Sequence, residues 1–138
     1  MPTTRELSLR MEDQPGVLGK ICRALADRKV NILAFQSIPH EGKSLVRFVV
    51  DNPTIAKSVL DGEKVAYTET EVAQVMLPHR PGELSRAASR LGEANININY
   101  GYCGIEAGTN APLLIFGVAE AARAATILDE AAAAAARA

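Results

Sequence analysis

The chain has little of what most small proteins use for chemistry. Its 138 residues include two cysteines and two histidines, and Lys plus Arg (15) nearly balances Asp plus Glu (16), for a net charge of −1. Without a cationic excess to draw phosphate backbones or acidic lipid, neither nucleic acid nor a membrane is an expected partner. Arg23, Arg28 and Lys29, with Arg86 and Arg90, fall at the spacing of a solvated helix face rather than a binding stripe. Cys22 and Cys103 lie outside any CxxC spacing. They argue against a metal knuckle or redox pair and read as reduced and buried; no metal or cofactor is expected. The opening residues have no signal-peptide core, and no run of about 18 uncharged apolar residues follows, so a cytoplasmic location is expected. His40 sits in a turn and His79 in a loop, and no serine or cysteine has a recognisable base nearby. No nucleophile is assembled, so no catalytic residue is assigned.

What the chain does have is repetition. Asp13-Gln14-Pro15-Gly16-Val17-Leu18 returns 66 residues later as His79-Arg80-Pro81-Gly82-Glu83-Leu84, and the echo continues through Leu25/Leu91, Val30/Ile96 and Asn31/Asn97. It resumes at Phe48/Phe116 and Leu60/Leu128 with an offset of 68, after a hairpin longer by two residues. The repeat predicts two units, residues 1–69 and 70–138. Each is near the size at which a lone core is marginal, so the halves are expected to share a buried surface.

Leu7, Leu9 and Met11 alternate with Glu6, Ser8 and Arg10, the period of a strand buried on one face. Val17, Leu18, Ile21, Ala24 and Leu25 then follow one helical stripe to about Arg28. Residues 31 to 38 and 45 to 50 read as a hairpin turning at His40-Glu41-Gly42-Lys43. Asp51-Asn52-Pro53 opens a helix with a capping side chain and a first-turn proline, and Val65 to Thr68 reads as a fourth strand. This is the split βαββαβ order of a ferredoxin-like sandwich, an α+β fold. The second half repeats it with strands at 72 to 77, 96 to 103 and 112 to 118. Its helices lie over Leu84, Ala87, Ala88 and Leu91 and from about Glu120.

After Leu128 the chain runs into alanines and ends without a strand. The second unit is therefore expected to lack its final strand. Its last helix should extend to a frayed tip, and the missing place should be covered or filled by a donated strand. Alternation puts Ile32, Ala34 and Ile38 toward the helices and Leu33 and Phe35 away from them. Leu113 and Ile115 likewise oppose Leu114, Phe116 and Val118, which leaves an apolar sheet face that predicts association in a homodimer.

The Pro-Gly loops carry the chemistry. Glycine lets a ligand approach the backbone, and the amides that open the following helix carry partial positive charge suited to a carboxylate. Asp13 offers a carboxylate for an ammonium group, and Asn31 offers a donor and an acceptor. Together they suit an α-amino acid whose side chain lies in an apolar crevice. A plain turn with a helix-capping asparagine is the competing reading.

These loop sequences, with Lys29-Val30-Asn31-Ile32 and Asn95-Ile96-Asn97-Ile98, resemble the ACT domain signature, in two tandem copies covering nearly the whole chain. The resemblance implies paired units side by side with a combined antiparallel sheet, and a small amino-acid effector bound at their seam. It implies a non-catalytic regulatory protein for a biosynthetic enzyme or, alternatively, an interaction subunit with vestigial pockets. Position by position it implies ligand contacts at Asp13, Gln14, Gly16, Val17, Leu18 and Asn31, and at His79, Arg80, Gly82, Glu83, Leu84 and Asn97. His79 stands where the family usually has Asp or Asn, and its protonation would strengthen a carboxylate contact. Tyr100 and Tyr102, in a stretch without a counterpart in the first copy, suit a pocket wall or an interface.

Overall fold

A computed structural model describes residues 3–106, 108 and 111–137. The two-residue insertion expected in the second hairpin lies in part outside the described residues. The elements run β1 (Thr4–Glu12), α1 (Val17–Asp27), β2 (Ile32–His40), β3 (Lys43–Val50), α2 (Pro53–Gly62) and β4 (Tyr67–Met76). They continue with α3 (Glu83–Glu93), β5 (Tyr100–Ile105), β6 (Pro112–Gly117) and α4 (Ala121–Arg137). Two compact units result, one of residues 5–70 and one that joins Thr3 and Thr4 to the described residues from Glu71 onward.

In the first unit β3 lies between β1 and β2 and pairs antiparallel with both. Leu7, Leu9, Met11, Val46 and Phe48 meet Ile21 and Leu25 of α1 and Ala56, Val59 and Leu60 of α2 in one core. Asn52 accepts a hydrogen bond from the Ile55 amide at 3.1 Å and Pro53 opens α2, as the sequence pattern requires. The hairpin turn tightens to the two residues Glu41 and Gly42.

Two expectations about this unit are corrected. A register shift between Ile32 and Ala34 bulges β2 at Leu33, and beyond it Ala34 pairs with Val49 and Phe35 with Phe48. The extra residue reverses which face each later side chain takes. Ala34 and Ile38 therefore leave the helix side, and Phe35 joins the face of Phe48 while staying 53% exposed. Glu6, assigned to a solvated face, is 0% exposed. Its carboxylate lies 3.8 Å from Arg47 and accepts from Ser8 Oγ at 3.4 Å, while Arg47 donates to Gln36 at 2.7 Å.

In the second unit β6 pairs antiparallel with β4, from Ala73 onward, and with β5. Ala87 and Leu91 of α3 and Ala121, Ala124, Ala125 and Leu128 of α4 cover Val75 and Phe116. The strands expected at 65–68 and 72–77 are one continuous β4, and β5 begins only at Tyr100 rather than near residue 96. Leu84, expected on the buried stripe of α3, is exposed, and Glu83 and Ala87 take the inner positions. No strand follows α4 among the described residues. The tip of α4 is not frayed: the helix runs unbroken to Arg137, with Ala131 and Ala135 buried one turn apart. Leu113 and Ile115 are 2% and 0% exposed within the single chain, so a second copy is not needed to cover them.

Tyr100 and Tyr102 stack on one face of β5, ring centroids 6.5 Å apart and planes 7° off parallel. The Tyr100 ring lies over Gly117, its partner in register, where a side chain would overlap it. Gly117→Ala must push the ring aside and is expected to lower stability by about 1 to 3 kcal/mol. Urea denaturation reads this as a lower midpoint at constant slope; a loss under about 0.5 kcal/mol would show that the ring is not held there.

Candidate functional site

The backbone of the first loop follows from its sequence. The Gln14 amide donates to Glu12 O at 3.0 Å and the Val17 amide to Gln14 O at 3.4 Å, so the chain turns tightly through Pro15. Gly16 then opens α1 with φ +90°, a conformation that side chains disfavour. No side chain caps this helix start, and nothing lies within 4 Å of where a Cβ on Gly16 would stand. Gln14 and Gly16 are exposed, Val17 and Leu18 half-buried. Asp13, also exposed, accepts a hydrogen bond from Ser44 Oγ at 3.2 Å, which fixes its carboxylate at the loop. An open helix start can take an anion on its amides, and the Asp13 carboxylate, on the same loop, can take a cation.

The second loop repeats the backbone: Gly82 has the same φ 90° and ψ −15° as Gly16, again with no side-chain cap. The repeat extends to the helix ends, where Lys29 and Asn95 take φ 60° and 61°. Side chains make the two loops unlike. Glu83, in the first turn of α3, is 3% exposed and ion-pairs with Arg80 at 3.4 Å and with Arg86. The Arg86 guanidinium reaches within 3.1 Å of where a Cβ on Gly82 would stand. Arg80 also donates to Ala135 O, near the end of α4, at 3.0 Å. Arg86 lies on the wetted helix face expected of it, exposed, and from there its guanidinium also reaches over Gly82. The charges at Arg80, Glu83 and Arg86, three apart, were the signal available in the sequence. His79 is exposed. Leu84 borders a cavity of about 290 Å³ lined also by Gly101, Tyr102, Cys103, Leu114 and Phe116.

The asparagines do not join these loops within either unit. The Asn31 amide donates to Asp51 Oδ1 at 2.9 Å and Asn31 O accepts from the Asp51 amide, at the Val50 end of β3, whereas Asp13 is bonded to Ser44 at the other end. The eight residues of β3 separate them, roughly 24 Å at strand rise. The reason is topological: β1 and β2 run parallel, so the crossover helix returns the chain to the opposite edge before β2 begins. The second unit has the same separation. Asn97 donates to Asn99, and the Asn99 amide to Gly117 O, while β4 leaves the sheet for the second loop past the Met76–Leu113 pair. Asp13, Gly16 and Asn31 are therefore not one constellation inside a unit, nor are His79, Gly82 and Asn97.

Both cysteines are free, and Cys103 is exposed rather than buried; partial burial pushes the Cys22 thiol up from its ordinary pKa. Among the described residues no cluster of three or more His, Cys, Asp or Glu side chains can hold a metal. Among them, too, no helix is long and apolar enough to cross a membrane.

Fold and loops together define a pair of α+β units of the ferredoxin-like kind, each with a glycine-opened helix start. Residues 5–61, within the first unit, match the family model described as the ACT domain. No curated protein matches the chain. Among solved structures it is similar to protein BT0572 from Bacteroides thetaiotaomicron, with 23% identity and a TM-score of 0.81 over 93% of this chain and 88% of that one. It is also similar to the ligand-free regulatory subunit of aspartate kinase from Thermus thermophilus, with 18% identity and a TM-score of 0.64 over 92% and 91%. The regulatory subunit of aspartate kinase from Thermus flavus gives 17% and 0.60 over 95% and 93%. At these identities the likeness is one of fold.

Proposed function

We propose that this chain is a non-catalytic regulatory protein that senses a small amino-acid-like effector through the loop Asp13–Leu18, and that its partner is a biosynthetic enzyme. The observation that carries the reading is the open start of α1: an uncapped, glycine-cleared set of amides, with the Asp13 carboxylate, three residues before Gly16 in the chain, held by Ser44. A zwitterion has the complementary ends, its carboxylate for the amides and its ammonium for Asp13. The fold shared with aspartate kinase regulatory subunits supports an enzyme partner. A homodimer belongs to the same reading, and the exposed Phe35 of β2 supports it.

The test is thermal melting against each proteinogenic amino acid in turn. Ligand at 100 times its Kd stabilises the folded state by about 2.7 kcal/mol, which for a chain of this size raises Tm by roughly 2 to 8 °C. At least one amino acid should do so, and Gly16→Val, strained at positive φ and intruding on the open amides, should abolish the rise. Twenty unchanged curves would sink the sensor reading. The second reading, an interaction subunit with vestigial pockets, would then stand; it is favoured by the side chains that already fill the second loop.

A further inference from the structure

We propose that the second loop is held shut by a clasp of its own side chains, that the clasp fastens the end of α4, and that the chain therefore offers one effector loop rather than two. The count of effector loops rests on the proposed sensing role of the first loop; the clasp itself does not.

The two loops share one backbone, so the difference lies in three side chains. Where the second copy has Arg80, Glu83 and Arg86, the first has Gln14, Val17 and Lys20. Glu83 places a carboxylate in the first turn of α3, where the helix amides favour negative charge. It is buried there between two guanidinium groups. Glu83 turns its carboxylate toward the groove shared with α4 and holds Arg80 and Arg86, and Arg86 lies over the glycine that would let a ligand approach. Val17 and Lys20 cannot reproduce this, because valine carries no charge and lysine lacks the planar fork that grips a carboxylate.

The same clasp explains why an alanine tail stays ordered. The last carbonyls of a helix have no partner within it, and Arg80 supplies one to Ala135 while remaining paired with Glu83. Glu83, Arg86 and Arg90 share a groove with Ala131, Ala134 and Ala135, so the tail lies along α3. A cation at that helix end also complements its dipole. Opening the second loop and releasing the tip of α4 are one event.

Amide hydrogen exchange on the ligand-free full chain tests this without any effector. In the wild type, amides 131–137 and 82–85 should exchange at least tenfold more slowly than those of the first loop, residues 13–19. Arg80→Gln, which installs the first copy's residue, should speed exchange about tenfold at both 82–85 and 131–137 while leaving the β3 core unchanged. Glu83→Gln, similar in shape but uncharged, should do the same through the other member of the pair. A wild-type tail exchanging as fast as the first loop, or tail exchange within twofold of wild type in both variants, would overturn the clasp. Because no ligand takes part, such a result is distinct from failure of the amino-acid screen.

Discussion

Phe48→Ala is expected to lower the unfolding free energy by about 3 to 5 kcal/mol, a large share of what a domain of this size possesses. Phe48 is 0% exposed, pairs with Leu7 across β1 and β3, and lies in the core that α1 and α2 cover. Truncation removes a full aromatic ring from a site walled by both sheet and helices, which leaves little freedom to collapse into the void. Urea denaturation should show the midpoint falling with the slope preserved. A loss below about 1.5 kcal/mol would mean that the first unit's core is looser than its packing indicates.

Arg47→Met should be nearly as damaging, for a different reason. It removes the guanidinium 3.8 Å from the fully buried carboxylate of Glu6 and also the bond to Gln36. Stripping one partner from a buried pair costs up to about 3 to 5 kcal/mol, because the remaining charge keeps its desolvation penalty and loses its strongest attraction, here with the Ser8 hydroxyl still donating to Glu6. The informative comparison is the double variant Glu6→Gln with Arg47→Met, which removes the charge as well and should recover at least half of the loss. If the single variant costs less than about 1 kcal/mol, or the double is worse than the single, the pair does not carry this part of the sheet.

Much of the fold is legible in the residues because the relevant forces are local or periodic. The alternation of Leu7, Leu9 and Met11 places them in the core, and Asn52-Pro53 starts α2 with the bond its side chain suggests. The repeat extends to backbone angles, with Gly16 and Gly82 indistinguishable in φ and ψ. What alternation could not show is a single added residue. The bulge at Leu33 reverses the faces of Ala34, Phe35 and Ile38, and no local signal marks it because it arises from pairing with β3. Glu6 looked like a surface residue because its burial depends on what covers the other face of the strand, which periodicity along one strand does not report.

The candidate site divides in the same way. The glycine-opened loops were readable because a left-handed turn before a helix demands glycine wherever it occurs. Asp13 and Asn31 flank one helix in the chain, yet the crossover places them a strand's length apart. The closure of the second loop needed Glu83 to turn inward, Arg86 to fold back over Gly82 and α4 to bring Ala135 within reach of Arg80.

By itself, then, the sequence determined that there are two units, which segments form strands and helices, and where glycine opens a helix to an anion. These are properties of short stretches, set by backbone sterics and by the periods of helix and strand. Only the tertiary structure decided how the second of two matching loops is tied down, because Arg80 there reaches the Ala135 carbonyl 55 residues further along the chain, and a contact of that span is made by packing rather than by any local preference.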